Sequence, residues 1–196
     1  TRNELMASLA PLAELRQKDG LSVAVVDIAD VFDEFSFGNK TPQAIRDFLQ
    51  FAKTNWQPAP RFVLLAGDAS YDSKNYLGYG DLDLVPTRLI DTLYMQAASD
   101  EWFSDFNNDG SAEMAMGRLP VRNAVEAAAL VAKITGYDNS LVANSILLAS
   151  DITDGFDFAA ANDLVRPFIP AGIQITDVRR GSADDAMVRA QLLAAI

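Results

Sequence analysis

The chain has 196 residues, 49% of them hydrophobic, and carries 27 acidic against 16 basic side chains for a net charge of −11. A surface this acidic opposes nucleic acid and anionic membranes, whose binding needs cationic patches. The absence of cysteine and histidine removes disulfides, thiolate metal sites, a thiol nucleophile and the usual general base near neutral pH from these residues. Of the acids 21 are Asp and 6 are Glu, a bias toward turns, helix caps and metal loops rather than helix interiors. No apolar run approaches the ~20 residues of a membrane span, and no basic-then-apolar start marks a signal peptide. Thr1 is not a natural initiator, which suggests a cut or processed piece of a longer protein.

In chain order, residues 4–18 are predicted as an amphipathic helix, with Leu5, Leu9, Leu12 and Leu15 at helical spacing and Gly20 as its stop. Leu21 to Ile28 is a β-branched apolar run and is predicted as a strand buried on both faces. Thr41 and Pro42 open a helix as N-cap and first residue, with Ile45, Phe48, Leu49 and Ala52 inward. Arg61 to Ala66 is a second buried strand, followed by Gly67 and Asp68. Residues 71–83 form a Tyr-, Gly- and Asp-rich loop, and 84–95 has room for a short strand. A short strand at 114–116 precedes a helix at 124–137. Beyond it come a strand at 145–149, a helix at 157–168, a strand at 173–178 and a last helix at 182–196 capped by Ser182.

Apolar strands alternating with helices imply an α/β fold, a mostly parallel sheet sandwiched by helices in a doubly wound or caspase-like manner. In such folds the loops after the strands carry the site. Asp68, Asp72 and Asp151 fall there, either as functional carboxylates or as caps of the turns and helices that follow. Phosphate-loop and dinucleotide fingerprints are absent. Asp81-Leu82-Asp83 has the spacing of an aspartyl-nucleophile phosphohydrolase, but a Gly/Tyr loop precedes it where a buried strand is needed. A Ser-His-Asp triad is impossible without histidine.

The richest local signal is Asp105-Phe106-Asn107-Asn108-Asp109-Gly110. Side-chain oxygens at alternate positions followed by glycine match the first half of a calcium loop. Asp105, Asn107 and Asp109 would bind through side chains, Ser111 through its carbonyl, and Glu113 directly or through water. The twelfth position is Met116, so the closing bidentate glutamate is missing, and the loop leads into a strand, so this is no EF-hand. Calcium in a structural role is one reading; an Asx-rich turn that binds nothing is the other. Asp100, Glu101 or a distant loop could complete the ligand set.

Several longer phrases, in order, resemble the gingipain-like cysteine peptidases. They are Val25-Val26-Asp27, Val31 to Gly38, Ala44 to Leu49, Arg61 to Tyr76, Val85-Pro86-Thr87, and Ser99 to Arg122. The likeness is strongest over 21–139. It implies a caspase-like fold and a secreted or bacterial cell-surface endopeptidase acting on protein or peptide through a Cys–His dyad. In that family both dyad residues lie C-terminal to the matched region, so none is carried over. Residues 1–196 are therefore expected to be the N-terminal portion of the peptidase domain, probing substrate only together with the C-terminal remainder. Asp68, Asp72 and Asp100 are its candidate cleft or cap residues. A non-catalytic, calcium-stabilised surface or secretion-associated module of the same fold would look identical here. A small-molecule-binding α/β domain rests on the strand-end aspartates alone.

Overall fold

The structure, a computed structural model, describes residues 1–137 and 144–195 and divides into two compact units, Thr1–Tyr137 and Asp138–Ile196. In the first, helix α1 (Asn3–Lys18) buries Leu5, Leu9 and Leu12, and the chain turns out of it through Gly20 at φ +86°. The predicted strand at 21–28 does not form. Residues 21–27 are irregular, and Asp27 instead caps a helix, α2 (Ile28–Ser36), by accepting from the Ala29 N–H at 3.0 Å. A strand exists only through its neighbours, and the backbone bonds of this run join Leu21 to Arg16 and Val26 and Ile28 to Thr1, with no partner strand among the described residues. An aspartate at the helix start, with Ile28, Val31 and Phe32 along one buried stripe, decides for helix.

Helix α3 (Pro42–Asn55) begins as its sequence predicts, with the Thr41 hydroxyl accepting from Ala44 N–H at 3.3 Å and Pro42 in the first turn. Strand β1 (Phe62–Ala66) follows. Next come an antiparallel hairpin of β2 (Arg88–Asp91) and β3 (Gln96–Ser99), and then β4 (Ala115–Leu119). β1 and β4 pair in parallel, from Phe62 opposite Ala115 to Ala66 opposite Leu119. Alternation along the strands sends side chains to two cores. Val63, Leu65 and Met116 face α2 and α3 with Ile28, Phe32, Ile45, Leu49, Val85 and Phe103. Ala66 and Leu119 face α1 and α4 (Ala124–Thr135) with Leu5, Leu9, Leu12, Ala127 and Val131. The parallel pair is thus covered by helices on both faces, and the fold is α/β.

In the second unit β5 (Ser145–Ser150) and β6 (Gln174–Arg179) are parallel, with α5 (Phe158–Val165) packed on β5 and α6 (Asp185–Ala195) on β6. The helix predicted at 157–168 stops at Val165 and continues as a 3₁₀ turn over Arg166–Phe168, where Pro167 withholds an N–H. The last helix is capped by Asp184, whose Oδ1 accepts from Ala186 and Met187, and not by Ser182. A turn closed by Ala183 N–H on the Arg180 carbonyl, with Gly181 at φ +47°, delays the helix past Ser182. The predicted end of that helix at Ile196 lies outside the described residues.

Candidate functional site

The loops that leave β1 and enter β4 meet around one arginine. Arg118 projects from β4 and is mostly buried. Its Nη1 donates to the carbonyls of Gly67 and Val85, both at 2.7 Å, and its Nε and Nη2 hold the Asp100 carboxylate at 2.7 and 2.8 Å. The planar fork suits this two-point pairing. Thr87 adds a hydroxyl to Asp100 Oδ1 at 2.9 Å. Burial pushes the Asp100 carboxyl up, but the Arg118 bonds and charge, with Thr87, outweigh it and hold the group below its ordinary range.

Asp68 accepts from its neighbour Ala69 N–H at 3.0 Å and from Arg122 Nε at 3.1 Å, while its carbonyl takes the N–H groups of Leu84 and Val85. Asp72 is filled by the Tyr76 and Leu77 amides at 2.8 and 2.7 Å. Asp151 pairs with Arg180 at 2.8 Å. Asp68 and Asp100 are brought to the same strand ends through Arg118 and Gly67, whereas Asp72 shapes the 72–77 turn. Gly67, at φ +140°, is required there: a Cβ would lie 2.7 Å from Val85 Cγ2.

The Asx loop winds around its own amides. Asp105 accepts from the N–H of Asp109 and of Gly110, both at 3.1 Å, Asn107 Oδ1 from Asp109 N–H at 2.9 Å, and Asp109 Oδ1 from Ser111 N–H at 2.8 Å. Asn108 and Gly110 take positive φ, +59° and +85°, to close the turn. Glu113 reaches back to Phe106 N–H at 2.6 Å. Each carboxylate oxygen keeps a second lone pair for a cation, yet no group of three acidic, His or Cys side chains converges as a metal cluster among the described residues.

Two residues of consequence escaped the sequence reading. Arg46 on α3 is 7% exposed and has no carboxylate partner among the described residues; its guanidinium donates to the carbonyls of Trp102 (2.6 Å) and Asp105 (2.5 Å) and to Asn108 Oδ1 (2.9 Å). It also lies over the Trp102 ring. Asp83, half of the rejected aspartyl pair, is 2% exposed. Its Oδ1 accepts from Ser70 N–H at 2.9 Å. Lys40 Nζ stands 3.1 Å from its Oδ2, an ion pair without hydrogen-bond alignment, so Oδ2 has no hydrogen-bond donor. Only an arginine inside an apolar helix face hinted at the first; the second stood in the Asp81-Leu82-Asp83 spacing, which carries no sign of its burial.

A parallel pair sandwiched by helices, with its chemistry-bearing loops clamped at the strand ends, defines a caspase-like α/β protein. A sequence model described as Peptidase family C25 matches residues 1–191, and the chain belongs to that family, the gingipain family of cysteine peptidases. The crystal structure of dimeric latent PorU from Porphyromonas gingivalis is similar at 27% identity and a TM-score of 0.56 over 67% of this chain. The match spans 14% of the PorU chain. No curated protein matches.

Proposed function

We propose that these residues form the scaffold half of a secreted or cell-surface cysteine endopeptidase domain, with part of its substrate cleft. The dyad is supplied by chain downstream of residue 196. The observation that carries this reading is the family match over 1–191 in a sequence without cysteine or histidine. A thiolate and its base must then come from elsewhere. The test is peptide hydrolysis by the complete protein before and after thiol alkylation. Alkylation can modify no thiol within residues 1–196, so it should abolish turnover by acting outside them, and residues 1–196 alone should be inactive. Turnover that survives alkylation would sink the proposal.

A second reading is a non-catalytic module of the same fold stabilised by calcium, and the pre-wound 105–113 loop supports its calcium part. Asp105, Asn107 and Asp109 would give side-chain oxygens, Ser111 its carbonyl, and Glu113 a further carboxylate after leaving Phe106. Saturating calcium at one hundred times its Kd adds about 2.7 kcal/mol. Thermal melting with calcium and with chelator should differ in wild type and coincide in Asp105→Asn/Asp109→Asn. Coincident wild-type curves would exclude the site. Peptide hydrolysis by the complete protein separates the two readings, since calcium stabilisation is compatible with either.

A further inference from the structure

A groove of about 740 Å³ runs between the α3 N-terminus and the loops after β1. Its lining includes Lys40, Lys74, Asp83 and Arg88, with Thr41, Pro42, Tyr71, Pro86 and Leu89 among its walls. Lys40 is committed to Asp83 and Asp81. Lys74 and Arg88 are not: among the described residues neither makes an ion pair or a side-chain hydrogen bond. Both are exposed. Arg88 is nevertheless held, with its guanidinium 5.1 Å above the Trp102 ring. Two unneutralised cations lining one groove are out of keeping with a chain of net charge −11, where acids outnumber bases 27 to 16.

We propose that this groove binds an extended peptide through an acidic side chain taken by Lys74 and Arg88. The proposal rests on the peptidase reading in taking the ligand to be a peptide. Three observations select that chemistry. The positive end of the 14-residue α3 lies on the groove wall beside Thr41 and Pro42 and reinforces the two cations. Asp83, an acid on the same lining, is buried and taken by Lys40 at 3.1 Å, so the groove's uncommitted charges, Lys74 and Arg88, are both positive. The groove's volume far exceeds a single small anion, and its proline, tyrosine and leucine walls suit the apolar parts of a chain. Nucleic acid, which carries a phosphate at every nucleotide, is opposed by the chain's net charge of −11.

The test is fluorescence polarisation with the complete protein and two labelled short peptides that differ only in aspartate against asparagine. The aspartate peptide should bind about tenfold more tightly, the worth of one charge-assisted contact, and the preference should fade as salt rises. Lys74→Gln/Arg88→Gln should bring the ratio near one, whereas Lys18→Gln/Lys133→Gln, with the same charge change elsewhere, should keep it. Equal binding of the two peptides, binding of neither, or a preference that survives Lys74→Gln/Arg88→Gln would overturn the proposal. Displacement of the aspartate peptide by an equal concentration of inorganic phosphate would do the same, making this a small-anion site. Polarisation does not need turnover. Acid preference without hydrolysis would leave the groove and remove the peptidase reading, and hydrolysis without acid preference would do the reverse.

Discussion

Arg118→Met keeps most of the aliphatic bulk of the side chain and deletes every donor that joins β4 to Gly67, Val85 and Asp100. Val85 is 1% exposed, so water is a poor substitute, and an orphaned buried carbonyl costs about 1–3 kcal/mol. The Arg118 and Asp100 side chains are 13% and 24% exposed. Their separation therefore lies between the ~0–1 kcal/mol of a surface pair and the ~3–5 kcal/mol of breaking a fully buried one. Together these give about 3 kcal/mol for Arg118→Met. Asp100→Asn leaves both carbonyl bonds and an acceptor for the guanidinium, and should cost about 1 kcal/mol. The assay is urea unfolding followed by tryptophan fluorescence, Trp102 being two residues from Asp100, with hydrogen exchange of segments 84–91 and 99–119 as the local readout. A third measurement is pH. The folded Asp100 carboxyl is held below its unfolded value, so its contribution is complete above about pH 4 and disappears as pH falls through the folded pKa. The gap between wild type and Asp100→Asn should be constant from about pH 7 to about pH 5 and close below about pH 4. An Arg118→Met protein within about 0.5 kcal/mol of wild type, or a gap that widens in acid, would refute the reasoning.

Arg46→Met should cost about 3 kcal/mol, since two carbonyls and Asn108 lose a buried charged donor; hydrogen exchange should quicken first in residues 102–108, and a uniform change across the first unit would argue against a local clamp. Gly67→Ala should lower stability by at least about 2 kcal/mol, because a Cβ 2.7 Å from Val85 Cγ2 must displace a packed side chain at a φ that alanine disfavours; a melting temperature equal to wild type would mean that the 84–85 segment moves away freely.

What was legible in the sequence is what is settled locally. Thr41 and Pro42 announce α3 because cap and first turn lie within three residues of each other. The Asx loop can be read for the same reason: its bonds join residues two to five apart. The run from Leu21 to Ile28 misled because apolar periodicity cannot report whether a neighbouring strand exists, and here the Asp27 cap outweighed β-branched composition. Arg118 stands inside the Ser99 to Arg122 phrase, but its partners lie 18 to 51 residues away, and those of Arg46 lie 56 to 62 away. No spacing rule encodes such contacts.

The two arginines act on one segment. Arg118 holds its start at Asp100, and Arg46 holds Trp102, Asp105 and Asn108. Between these anchors lies the 3₁₀ turn Glu101–Phe103, whose Phe103 is fully buried against the α2–α3 core. The fixed segment brings the Trp102 ring to Arg88 and leads directly into the Asx loop. Rigid supports are what a recognition surface needs, because ordering its groups in advance removes that entropy cost from binding. Guanidinium groups buried on carbonyls therefore serve a purpose in this acidic chain that its net charge conceals: they fix the segment that anchors Arg88 beside the groove.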